Sequence, residues 1–194
     1  VTVAAMANQA MNYLVAGKVP KTMGNAHPNI VPYEAYKASD DYIILAVGND
    51  AQFRRFCEVA ERIDLVDDER FATNRNRVGN REDLGPILRE VIFARPRAFW
   101  LEELEKVGVP CGPINNLEQV FDDPHILARG ARQEVVHVEA GALPTVANPI
   151  RMSQSPVSYD RAPPVLGQDN EEVLQGLLGL ELHEIIRLKD SGII

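Results

Sequence analysis

Cysteine is nearly missing from this sequence: 194 residues contain two, Cys57 and Cys111, with no CxxC spacing. That leaves no disulfide framework beyond one conceivable pair and fits a reducing, cytoplasmic setting. Basic residues are in the minority, 20 Lys and Arg against 28 Asp and Glu, for a net charge of -8. A nucleic-acid partner is therefore not expected, since it would want a basic face to release counterions. A local basic pocket for an anionic ligand stays open. The longest apolar run, Tyr42 to Val47, is strand-sized and far short of a membrane span. There is no N-x-[ST] sequon, and the opening residues carry no signal-peptide pattern. Missing too are GxGxxG, the Walker A loop, GxSxG and HExxH. The four histidines, His27, His125, His137 and His183, are too scattered to suggest a zinc site, so no metal is expected.

What is present is ordinary globular composition, 45% hydrophobic and 25% charged. The chain opens with Val1 already inside an amphipathic pattern. Val3, Met6, Ala10, Tyr13 and Leu14 recur at helical spacing before Gly17 and Pro20. A helix without a start signal suggests that the chain begins mid-element, as a piece of a longer protein. Lys18 to Pro32 is a proline-bearing loop. A hairpin follows, Tyr33 to Ala38 and Tyr42 to Val47 around Ser39-Asp40-Asp41, its second strand apolar on both faces and read as central.

Gly48-Asn49-Asp50 caps a helix whose stripe Phe53, Phe56, Cys57 and Ala60 is buried, with Arg54, Arg55 and Glu58 toward water. Asp67 to Arg81 is polar, anchored by Phe71. Leu84, Ile87, Leu88, Val91 and Ile92 give the clearest helical stripe. A helix with Trp100, Leu101, Leu104 and Val107 ends at Gly108. Val109 to Ile114 is extended. Short helices are predicted around 117–121 and 124–128, and strands over 134–138 and 143–147 around Ala140-Gly141. Pro149 to Pro164 is a surface connection, and two amphipathic helices around 173–178 and 182–188 close the chain.

Two segments stand out. Thr22 to Pro28 combines Gly24 with the short polar heads of Asn25 and His27. Such a loop can approach a ligand and offer backbone N–H groups to an oxyanion, or it can be a plain connection before a hairpin. Gly108-Val109-Pro110-Cys111-Gly112-Pro113 demands a rigid backbone path, either to shape a pocket or to link helix and strand stiffly. Cys111 has no neighbouring base to activate it, and Cys57 reads as core, so neither is a nucleophile candidate.

Four stretches in order resemble the class III coenzyme A transferases, the superfamily of formyl-CoA transferase, carnitine-CoA transferase and 2-methylacyl-CoA racemase: GNAHPNIVPYEAY at 24–36, RFATNRNRVGNREDL at 70–84, VGVPCGPINNLEQVFDDPH at 107–125 and APPVLGQDNEEVLQGLLGL at 162–180. The resemblance covers nearly the whole chain and implies its C-terminal portion. Members have a large Rossmann-like domain and a small α+β domain, and two chains interlock as a homodimer. The implied fold is thus α+β: a small domain with a short antiparallel sheet and flanking helices, plus terminal helical segments belonging to the large domain. Residues 1–19 would be a linker helix from that domain, 20–147 the small domain, and 148–194 the return linker and C-terminal helices.

The chemistry implied is transfer of CoA between carboxylic acids. An aspartate of the large domain attacks the thioester, a mixed anhydride forms, and CoA returns through an aspartyl-CoA thioester. That aspartate would lie upstream, so no catalytic residue is expected in this chain, which would be inactive alone. The partners are acyl-CoA and a carboxylic acid, with the CoA thioester as substrate and no bound cofactor. Gly24, Asn25 and His27 stand where formyl-CoA transferase has a glycine-rich loop over its active site, and would bind substrate. Only Gly24 keeps a glycine, which points away from formyl-CoA specificity. A racemase of the same fold, working by α-proton transfer, and a non-catalytic interaction module remain alternatives.

Overall fold

The computed structural model describes residues 1–194. It is α+β and packs as two compact units, Val1–Ile114 and Asn115–Ile194. No helix is long and apolar enough to cross a membrane.

The first unit opens with α1 (Thr2–Ala5) and α2 (Ala7–Ala16). The single helix read from the sequence is broken at Met6, whose N–H bonds to Val3 in a tight i–3 turn at 3.2 Å. Neither piece buries a residue, so their apolar stripe meets no partner within this chain and little holds the helix straight. After the loop, β1 (Tyr33–Lys37) pairs antiparallel with β2 (Tyr42–Ala46). Next come α3 (Asp50–Val59), α4 (Asp64–Asp67), α5 (Asn74–Gly79), α6 (Arg81–Phe93) and α7 (Arg97–Lys106). Then β3 (Cys111–Pro113) returns antiparallel to β2, so the sheet order is β1-β2-β3 and β2 is central.

The alternation of β2 decides where the core lies. Ile43, Leu45 and Val47 are fully buried under α3, α6 and α7, packed with Phe53, Phe56, Leu84, Leu88, Ile92, Trp100 and Leu104. On the opposite face Tyr42 is exposed and Ile44 and Ala46 half-buried, so one face of the doubly apolar strand is covered within this chain. Trp100 satisfies its indole N–H with the Ile92 carbonyl at 2.8 Å. Asn49 caps α3 by accepting the Gln52 N–H at 2.9 Å. The cap of α7 comes from elsewhere. Pro96 at its N-cap has no side-chain acceptor, and Asp40, in the hairpin turn, accepts the Arg97 N–H at 2.7 Å.

One residue inside the polar 67–81 stretch departs from its sequence reading. Arg77 is completely buried. Its Nε donates to the Val31 carbonyl at 2.7 Å, Nη1 to the Phe71 carbonyl at 2.9 Å and Nη2 to Asp50 Oδ1 at 2.8 Å. The guanidinium lies over the Phe53 ring, 4.3 Å from its centroid. Burial lowers its pKa, and Asp50 opposes that. Arg55 also departs from expectation: it is half-buried, with Nη2 reaching the Gly108 carbonyl at 3.5 Å.

The second unit holds α8 (Leu117–Asp122), α9 (Pro124–Ala128), the hairpin β4 (Arg132–His137) and β5 (Gly141–Val146), and α10 (Asn170–Gly176) and α11 (Leu182–Asp190). Asn116 and Gln119 form a capping box on α8, Asp123 caps α9, and Glu181 and Glu184 box α11. Its hydrophobic burial is thin: Val135 and Ile185 are its buried residues. Leu177, Leu178 and Ile186 stay exposed.

Two outcomes follow. Arg77→Ala leaves two buried carbonyls and Asp50 without their donor and should cost about 3–5 kcal/mol in denaturant unfolding. Arg77→Lys should recover little, because an ammonium cannot fork to three acceptors. Asp40 is held below its ordinary pKa, first by the Arg97 N–H. A depressed carboxyl stabilises above its unfolded value, about pH 4, and loses that contribution as pH falls through the lowered value. The melting-temperature gap between wild type and Asp40→Ala should therefore narrow on acidification.

Candidate functional site

The Met23–Pro28 loop owes its course to three anchors. Gly24 sits at φ +61°, in the left-handed region, and turns the chain, with Ala26 N–H bonding to the Met23 carbonyl at 3.2 Å. The loop is then laid along the free edge of β1. His27 N–H donates to the Tyr33 carbonyl at 2.9 Å, and Ala35 N–H donates to Asn25 Oδ1 at 2.9 Å. An otherwise open sheet edge is covered this way. From the far side, Arg81 at the start of α6 donates Nη2 to the carbonyls of His27 at 3.1 Å and Pro28 at 2.9 Å.

The three residues singled out in the sequence thus come together on one loop, and their free groups can be named. His27 stacks on Tyr33, centroids 5.2 Å apart, and its Nδ1 accepts the Asn29 N–H at 3.1 Å. A neutral imidazole with Nδ1 accepting carries its proton on Nε2, which is the donor left over. The N–H groups of Ala26, His27 and Asn29 are spent within the loop and sheet. Those of Gly24 and Asn25 make no hydrogen bond in the chain, and the Asn25 amide keeps its NH2. These donors, set on a loop tied at both ends, can face an oxygen that gains negative charge.

Beside the loop is a cavity of about 240 Å³, lined among others by Met23, Ala26, Tyr33, Tyr36, Arg81 and Arg89. Sequence reasoning missed Tyr36 and Arg81. Strand alternation puts Tyr36 on the core face opposite Tyr33 and Ala35, and a core-facing tyrosine needs a partner for its hydroxyl. That was the available signal. Arg81 had none beyond its place before a helix.

The other candidates stay outside this site. Cys57 is buried, which pushes its thiol up to about 12, and burial followed by Glu105 raises Cys111. Neither is a thiolate at neutral pH. The Gly108–Pro113 turn delivers β3 to the sheet, with Gly108 at φ +66° closing α7. No three His, Cys, Asp or Glu side chains are grouped to hold a metal ion.

The family model of CoA-transferase family III matches residues 1–170. The chain belongs to this family. Among its relatives, the succinate–glutarate CoA-transferase of Agrobacterium fabrum is 43% identical over 92% of this chain and 44% of that protein. The human succinyl-CoA:glutarate CoA-transferase is 36% identical over 99% of this chain and 44% of that protein. Among solved structures, a CaiB/BaiF family protein from Brucella suis matches with a TM-score of 0.74 and 43% identity, over 90% of this chain and 45% of that one. The chain therefore spans less than half the length of the CoA transferases it matches. The α+β fold here is a partial family fold.

If Asn25 ties the loop to the sheet, Asn25→Ala should free the Ala35 amide. Its hydrogen exchange should quicken by roughly tenfold, the equivalent of one lost hydrogen bond, while amides of β2 are unchanged.

Proposed function

We propose that this chain is the C-terminal part of an enzyme that transfers coenzyme A between carboxylic acids through an aspartyl-CoA thioester. The nucleophilic aspartate lies in polypeptide upstream of these residues, and this chain alone is inactive. Residues 20–147 form the small domain. Residues 1–19 and 148–194 pass from and return to a large Rossmann-like domain. The intact protein is a cytoplasmic, interlocked homodimer that binds acyl-CoA and a carboxylic acid and needs no further cofactor.

The observation that carries this reading is the loop itself. Family membership names the chemistry, and the loop offers what a thioester oxygen needs: two unspent backbone donors at Gly24 and Asn25, with His27 Nε2–H nearby in sequence. A carboxylate nucleophile needs no base to activate it, so the remaining demand is for stabilisation of the oxyanion and exclusion of water. Gly24, Asn25 and His27 supply that from the substrate-binding side. The exposed apolar stripes of α2 and α11 support a larger packed assembly around this chain. Two relatives are named for succinate and glutarate, so short dicarboxylates are the acids to assay first.

The longer protein should exchange CoA between succinyl-CoA and glutarate, and the 194-residue chain should not. Exchange by the short chain alone would overturn the upstream nucleophile. In the longer protein Gly24→Val should lower kcat by about two orders of magnitude, the loss typical of a misplaced oxyanion donor. The fold should persist with a modest drop in melting temperature, because no atom lies within 4 Å of an added Cβ but a side chain at φ +61° carries about 1–3 kcal/mol of strain.

A further inference from the structure

Arg81 is the first residue of α6, a position that suits it badly. The free N–H groups at a helix start favour an acid and disfavour a cation. Glu82 and Asp83 follow that rule, and Arg81 breaks it. No ion pair of the chain relieves its charge. The cavity beside it gives it no second task. Tyr36 keeps its unpartnered hydroxyl buried there, and Glu34 and Glu82 match Arg81 and Arg89 in charge, so nothing in the lining draws an anion. What remains is the contact that Arg81 makes with the loop.

One nitrogen, Nη2, donates to the carbonyls of His27 at 3.1 Å and Pro28 at 2.9 Å. No backbone N–H of the chain reaches either carbonyl. The second of these bonds leads further. The Pro28 carbonyl and the Asn29 N–H belong to one planar peptide, and in a trans peptide the two groups point in opposite directions. Arg81 holds the carbonyl end, while the N–H end donates to His27 Nδ1 at 3.1 Å. This peptide joins the guanidinium to the imidazole. It fixes which ring nitrogen accepts, and a charged donor on its carbonyl strengthens the N–H it offers. The Tyr33 ring, stacked on the imidazole, holds the plane of His27 but does not distinguish its two nitrogens.

We infer that Arg81 is a positioning residue that, through the Pro28–Asn29 peptide, holds His27 as an Nε2–H donor toward the thioester oxygen. This rests on the reading that the Met23–Pro28 loop meets the substrate. Arg81 itself touches no reacting atom. Without it the peptide is free to turn, Nδ1 loses its donor, and the proton redistributes between the two ring nitrogens.

The test compares the intact protein with Arg81→Ala, Arg81→Lys, His27→Ala and the double variant Arg81→Ala/His27→Ala. Arg81→Ala should fold, since it removes the misplaced cation at the helix start. Its kcat for CoA transfer should fall about tenfold with KM little changed, the pattern of an interaction made in the transition state. The double variant should be no slower than His27→Ala, because both changes act on one group. Arg81→Lys should recover most of the rate, because a single nitrogen makes both bonds and an ammonium can do the same. Nitrogen NMR of the histidine-labelled protein, at a pH where imidazole is neutral, gives the readout without turnover, with the His27 signal assigned by its loss in His27→Ala. Wild type and Arg81→Lys should show the Nε2–H form, and Arg81→Ala a mixture of tautomers. Losses that add in the double variant, a lysine variant as slow as the alanine one, or an unchanged His27 signal in Arg81→Ala would each overturn the inference. An inactive protein in which Arg81→Ala still shifts that signal would defeat the transferase reading and keep the positioning of His27. A transferase indifferent to Arg81→Ala would keep that reading and overturn this one.

Discussion

The buried guanidinium of Arg77 is the interaction on which the first unit depends. It joins three segments distant in sequence: the end of the loop at Val31, the turn at Phe71, and the start of α3 at Asp50. Asn74 on the same short helix repeats the tie, accepting the Val31 N–H and donating to the Asn29 carbonyl. A hydrophobic contact could hold these segments together but could not set their register, because it has no direction. A forked donor with three acceptors does set it. The cost of burying the charge is met by the carboxylate, the carbonyls and the Phe53 face, so the whole arrangement stands or falls as a set.

That register is what places the loop. Pro28 to Val31 is pinned to α5 at one end, Arg81 holds His27 and Pro28 from α6, and Asn25 is bound to the strand edge. The left-handed turn at Gly24 is thus left as the part with unspent backbone donors. A tethered loop with free N–H groups loses little entropy on meeting a ligand, which is the requirement for donors that act on a transient charge. The polar accounting of the unit sorts its residues: each nitrogen of Arg77 has a partner, whereas the backbone N–H groups of Gly24 and Asn25 have none in the chain.

Much of this was readable beforehand where local patterns carry the signal. The β1–β2 hairpin, the α3 stripe with its Asn49 cap, the α6 stripe and the Gly108 stop all follow from spacing and side-chain chemistry, and the structure places them within a residue or two. Gly24, Asn25 and His27 were singled out because a glycine among short polar residues marks a special backbone, and the left-handed turn at Gly24 bears out that much. Arg77 was not legible, because a charged residue in a polar stretch looks like a solvated one until its three acceptors, 6 to 46 residues away, are brought to it. Tyr36 failed for the same reason: alternation puts it inside, but the absence of a partner for its hydroxyl is a property of the assembled fold. The break at Met6 reflects a stripe with nothing in this chain to pack on, so local geometry prevailed over periodicity.

The two units are held together by different means, and this bears on what each can do. In the first, a continuous core runs from Val31 to Val109 beneath the sheet. In the second, capping boxes and a hairpin order the backbone while two residues are buried. Caps specify where helices begin but contribute only about 1 kcal/mol each, too little to offset the ordering of some eighty residues without apolar burial. The exposed Leu177 and Leu178 just after α10 and Leu182 in α11 are therefore a deficit in the hydrophobic term of this unit. The rigid first unit can present a loop by itself. The second, with Val135 and Ile185 as its buried apolar residues, has little core of its own to do the same.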